Sequence, residues 1–144
     1  MNAPLSRGLG LAALHVAVQF VLGLAVQYWT PQTSSARLIA LVLVAGMAIA
    51  WGAVDGRRDR LAHGEQSEVD FPILWLQAGV IGGLAAGAST WLIDKLPGLD
   101  LSGNSLLFEL TAAAAWILLL IYVPATIGVG LGRLLANRAT ARVS

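Results

Sequence analysis

The residues of this chain that can do chemistry are few, and most of them stand in apolar surroundings. His15 and Gln19 are four positions apart, so on a helix they share one face, a turn from each other. They offer an imidazole that titrates near neutral pH and an amide that both donates and accepts. Two uses are open to such a pair: structural glue between helices, or a place on a polar pathway. Glu109 is the one carboxylate inside an apolar run. At a helix N-terminus the dipole favours it as an interfacial group, and at the mouth of a cavity it can hold a proton or a cation. Asp55 stands where an apolar run gives way to Arg57 and Arg58, and pairing with those neighbours is the ordinary expectation. Ionisable groups in lipid are costly, which makes each a functional candidate. The candidate polar pathway is therefore Glu109, His15, Gln19 and Asp55.

No catalytic template accompanies these residues, and no enzyme is expected. The chain has no Gly-x-Ser-x-Gly elbow, no phosphate-binding Gly-rich loop ending in Lys-Ser/Thr and no His-Glu-x-x-His helix. His63-Gly64-Glu65 lacks the cysteine pair of the zinc deaminases. With no cysteine at all and only two histidines, disulfides and thiolate chemistry are excluded, and neither a metal site nor a cofactor is expected. A net charge of +1 with scattered basic residues gives no nucleic-acid-binding surface.

What must position the polar residues is a set of membrane helices. Across 144 residues, 57% are hydrophobic and 12% charged, about half the charge of a soluble domain. Four apolar stretches, at about 9–28, 36–54, 73–95 and 106–135, are near or above the roughly 17–25 residues that cross a hydrocarbon core. Backbone groups in lipid must be satisfied within their own segment, so these runs predict helices rather than strands. The fold class expected is all-α, a four-helix transmembrane bundle in one domain. Ser34 or Ser35 is expected to cap the second span, Pro72 to start the third, and Thr30-Pro31-Gln32 and Leu96-Pro97-Gly98 to break the two hairpins. The first run is too long for a signal-peptide core and has no clean cleavage site, so it is read as a retained span.

Orientation follows from the cations. Arg7, Arg57, Arg58, Arg60, Arg133, Arg138 and Arg142 fall on one side, against Arg37 and Lys95 on the other. That excess predicts both termini and the hydrophilic loop 55–71 on the cytoplasmic face of the cell membrane. Trp51 and Trp75 at one end, and Tyr28, Trp29 and Trp91 at the other, read as interfacial belts. The rest of the loop, through Glu65 and Glu68, reads as a solvated turn.

Helix packing is expected at small residues. Gly79, Gly83 and Gly87 recur every fourth position in span three, and Gly128 and Gly132 repeat the device in span four. Such strips let helices approach closely where lipid provides no hydrophobic drive. They are expected to meet each other within the bundle, or to meet the same strips in a second copy. Pro124 interrupts span four and frees the Leu120 carbonyl, predicting a kink that Thr126 helps to satisfy.

Several of these segments resemble a known family. Trp51-Gly52-Ala53-Val54-Asp55-Gly56-Arg57-Arg58-Asp59, Trp75-Leu76-Gln77-Ala78-Gly79 with its continuation to Thr90-Trp91, Glu109-Leu110-Thr111, and Pro124 followed by Gly128 and Gly132-Arg133 are similar to small actinobacterial four-span membrane proteins. That family is labelled as bacterial transporters related to the drug/metabolite transporter superfamily, and the likeness covers nearly the whole chain. It implies a transport role. The chain departs from the small multidrug resistance exporters, which carry an essential glutamate in span one where this chain has His15 and Gln19. Their proton-coupled cation mechanism is therefore not implied. Two functions are expected to compete: a small-solute transporter or permease working as an oligomer in the lipid bilayer, or a non-transporting accessory subunit of a larger membrane complex.

Overall fold

The computed structural model describes residues 3–28, 33–96 and 105–141, without the side chains of 23, 25–28, 33, 34, 36 and 37. Trp29, Thr30, Pro31, Gln32, Pro97, Gly98 and Arg142 lie outside the described residues, as do the side chains of Tyr28, Ser34 and Arg37.

Four helices long and apolar enough to cross a membrane form the bundle. These are α1 (Ala3–Tyr28), α2 (Thr33–His63), α3 (Phe71–Ile93) and α4 (Leu106–Ala141). The last is continuous in three parts: a first α turn, a π-helical stretch over Glu109–Ala113, and α-helix over Ala114–Ala141. No strand occurs among the described residues.

The ends are set by local chemistry. The Asp70 carboxylate accepts the Ile73 N–H at 3.1 Å, and Pro72 fills an opening position of α3 whose N–H has no helical partner. Ser105 accepts the Phe108 N–H in the same way at the start of α4. Gly64, at φ +61°, ends α2 with its N–H donated to the Arg60 carbonyl at 3.0 Å, a left-handed position that glycine takes without strain. The span-two helix thus runs through His63, well into the stretch read as loop. It begins at Thr33, so Ser34 and Ser35 lie inside its first turn instead of capping it.

The helices form a ring in the order α1, α3, α4, α2. The neighbours α1 and α3 run parallel, as do α2 and α4, while α3 and α4 run antiparallel. Close approach at glycine makes these crossings. A Cβ at Gly52 or Gly56 would overlap the Ala125 or Val129 carbonyl of α4. Reciprocally, one at Gly128 or Gly132 would overlap the Ile49 or Ala53 carbonyl of α2. The α3 glycines face a different stretch of α4: Gly79, Gly83 and Gly87 abut the backbones of Leu118, Ala114 and Glu109. The two glycine strips thus do not meet each other. Each is spent within the bundle, on a separate helix pair.

Thr126 donates to the Tyr122 and Val123 carbonyls at 3.0 and 2.9 Å, not to that of Leu120. The largest fully buried side chains are Trp75, Leu11, Ile121 and Val44, and the first three share one core cluster. Trp75 is therefore a core residue and not part of an interfacial belt. Trp51 packs against it edge-on, ring centroids 6.4 Å apart.

Candidate functional site

Two features frame the site: one end of the bundle is tied shut, and one side is open. At the Arg-rich end, Arg7 of α1 donates to both carboxylate oxygens of Asp55 on α2, through Nε at 2.8 Å and Nη2 at 2.9 Å. The guanidinium also lies 5.8 Å from the centre of the Trp75 ring, within range of a cation–π attraction. Asp55 is held by Arg7 from another helix, where the sequence pointed to its neighbours Arg57 and Arg58, both of which are exposed. One helical turn on, the buried Asp59 accepts from Ser67 Oγ at 2.7 Å and from Arg133 Nη2 at 3.2 Å, with His63 Nδ1 at 3.4 Å. Arg133 in turn covers the Phe71 ring at 5.2 Å. Arg60 joins Asn137 Oδ1 at 2.7 Å to Glu65 Oε1 at 2.9 Å.

These ties draw on all four helices. Bidentate charge-assisted pairs are the strong, geometrically specific kind, and in a desolvated site each partner makes the other tolerable. The arrangement has a cost, since Trp75 Nε1 is buried with no hydrogen-bond partner among the described residues. Asp55 and Asp59 stand four apart, one turn of the same helix. That spacing was a readable signal for a second buried carboxylate once α2 is extended through His63.

Among the described residues, the loosest contact of the ring lies between α1 and α2, and this is the open side. A cleft of about 140 Å³ opens there, lined by His15, Val18, Gln19, Leu22, Ala40 and Leu41. His15 is only 8% exposed and Gln19 is exposed on the cleft. Neither makes a hydrogen bond among the described residues. The spacing therefore does place both on one surface, though not bonded to each other. A wider apolar groove of about 310 Å³ continues from the cleft and shares Val18, Leu22 and Ala40 with it.

Glu109 belongs to another helix pair. It is 4% exposed, on the π-helical stretch, with its carbonyl against Gly87 of α3. The Ala114 N–H bonds back five residues to the Glu109 carbonyl. The buried face of α4 steps through Ala114, Ile117, Ile121, Ala125 and Gly128 at three- and four-residue spacing. An unbroken α repeat would carry that face to Leu110. The extra residue in the π turn carries it to Glu109 instead. Asp55 and the His15–Gln19 cleft thus lie at two levels of the α1–α2 interface, while Glu109 lies on the α3–α4 interface.

No protein-family model matches the chain, and no curated protein matches it.

Proposed function

We propose that this protein is a small permease-type transporter of the cell membrane, working as an assembly of copies with both termini cytoplasmic. The observation that carries the reading is the pairing of an end where ion pairs tie α1 and α4 to α2, over the Trp75 and Phe71 rings of α3, with a lateral cleft lined by His15 and Gln19. A bundle used only as an anchor has no need of an imidazole and an amide turned into an apolar lateral cleft, since ionisable groups in membrane spans are functional candidates by default. In this reading the cleft takes the solute, and the Arg7–Asp55 and Asp59–Arg133 ties are the gate that keeps the cytoplasmic side shut. Glu109 is the titratable group nearer the far side, on the kind of π turn that often marks functional positions. The seven-to-two bias of basic residues supports the orientation. The motif likeness to small four-span transporters supports the class.

The test is flux from reconstituted vesicles, using a panel of amphiphilic dyes and metabolites. At least one should move faster than in empty vesicles, and the doubly substituted His15→Leu/Gln19→Leu protein should lose most of that flux. A panel in which nothing outpaces empty vesicles overturns the reading.

A second reading has its own observation. The helices α2 and α4 hold 31 and 36 residues, about 46 and 54 Å of helix against a hydrocarbon core of about 30 Å. Their Arg-rich ends stand clear of lipid and display Arg57, Arg58 and Arg138. An accessory subunit docking there on a larger complex would co-purify with it in fixed ratio from native membrane.

A further inference from the structure

The cleft between α1 and α2 has the shape and chemistry of a site for one kind of molecule. Its polar end is small. A cavity of about 150 Å³ holds a benzene ring, and the His15–Gln19 end measures about 140 Å³. Its apolar continuation, between Ala17 and Val21 of α1 and Ile39 and Leu43 of α2, is about twice as large and almost wholly apolar. The two share lining residues, so a single molecule can lie in both.

Depth and charge narrow the class. His15 lies six residues inside the span read at 9–28, roughly 9 Å along the helix axis and so within the hydrocarbon core. The polar end contains no Lys, Arg, Asp or Glu. A phospholipid headgroup finds no cation there for its phosphate. The site instead offers an imidazole and a primary amide, each with a nitrogen donor for an uncharged carbonyl oxygen. His15 is 8% exposed and lines the cleft with Gln19, so a carbonyl placed there can accept from its ring.

We infer that the α1–α2 cleft binds a neutral, membrane-dissolved lipid with a ring-sized, carbonyl-bearing head, of the prenylated-quinone class. The ring lies against His15 and Gln19, and the chain runs along Val21 and Ile39. The molecule enters sideways from the bilayer, where the cleft opens between the two helices. This rests on the reading of the cleft as the solute site, but binding is measured without flux, so the two can fail separately.

The test uses the full-length protein in lipid nanodiscs, with a prenyl-quinone probe carrying a photoreactive group on its tail. Labelling should map to α1 and α2 peptides and be displaced by unlabelled quinone but not by an anionic phospholipid. His15→Leu/Gln19→Leu should lower labelling at least tenfold. Val21→Trp, at a position 62% exposed, fills the groove without touching the polar end and should block labelling in a protein that melts like the parent. Three results overturn the inference: labelling spread evenly over the lipid-facing surface, equal competition by phospholipid, or cysteines at Val18 and Val21 cross-linking copy to copy, which would mean that a second chain fills the cleft. Quinone labelling without flux in vesicles would leave the site standing and remove the transport reading.

Discussion

Arg7 and Asp55 lie 48 residues apart, yet meet through two parallel hydrogen bonds of 2.8 and 2.9 Å. Their side chains are 16% and 10% exposed. Two charges so far from water are tolerable chiefly because each has the other. Asp55→Leu should therefore cost about 3–5 kcal/mol by leaving an uncompensated guanidinium. Arg7→Met/Asp55→Leu should recover at least half of that loss. Reversible unfolding in mixed micelles supplies the four corners of the cycle. Additive losses would mean that the pair is not coupled.

The reciprocal glycine crossing of α2 and α4 makes a sharper prediction. Gly56→Ala and Gly132→Ala each push a methyl into a facing backbone carbonyl, and overpacking of this kind costs about 1–3 kcal/mol. Gly46 and Gly130 have nothing within 4 Å of a built Cβ. Alanine there should be neutral or stabilise by about 0.5–1 kcal/mol, since glycine is a poor helix former. Melting temperatures of the four variants should fall into these two pairs. If all four behaved alike, the crossing would not be as close as described.

That contrast bears on what the sequence can disclose. Four spans, the Pro72 start and the paired positions of His15 and Gln19 are legible because each is local: hydropathy over a window, a proline's fixed φ, a spacing of four. Partner choice is not local. Gly128 and Gly132 advertise a close contact, but nothing in their spacing says whether Gly79–Gly87 or Gly52–Gly56 receives them. Asp55 beside Arg57 and Arg58 suggests a neighbour pair, while the helix turns those two arginines outward and brings Arg7 to it. Trp75 reads as an interfacial anchor from its place at the end of an apolar run. Its burial depends on Arg7 and Trp51 arriving from other helices. Glu109 is read at the interface because the π turn that rotates it inward leaves no mark in the hydropathy.

The turn between α2 and α3 should depend on Asp59. Ser67 donates to Asp59 at 2.7 Å and accepts the Val69 N–H at 3.3 Å, so one carboxylate on α2 organises the segment leading into α3. Asp59→Asn keeps the volume and removes the charge. Hydrogen bonds to charged groups contribute about 1.5–3 kcal/mol, so amide exchange across 65–69 should quicken by at least tenfold. Exchange unchanged from the parent would mean that the turn is held by its backbone alone.

Cysteine accessibility tests the orientation without disturbing packing, because the chain has no cysteine of its own. Glu65→Cys and Lys95→Cys replace exposed residues at opposite ends of the bundle. With the Arg-rich end cytoplasmic, a membrane-impermeant maleimide added to intact cells should label the second and spare the first until the membrane is opened. The reverse pattern would invert the topology.

The π turn in α4 invites a test by length. The Ala114 N–H reaches back to the Glu109 carbonyl across one residue more than an α turn holds, and Ala112 lies exposed within it. Deleting Ala112 should turn this stretch into ordinary α-helix while leaving Glu109 four residues before Ala114, still on the buried face. The deletion should then melt within a few degrees of the parent. Inserting an alanine after Ala112 should do the opposite. Each residue turns an α-helix by about 100°, so either the π turn must widen further or Glu109 must rotate toward lipid. An acidic side chain in a lipid-facing helix costs up to about 2.5–3.5 kcal/mol at the bilayer centre and less toward the interface. The inserted protein should therefore be the less stable of the two by a margin that narrows when Glu109→Gln is added. A deletion more damaging than the insertion would show that the wide turn itself, and not the inward placement of Glu109, is what the bundle needs.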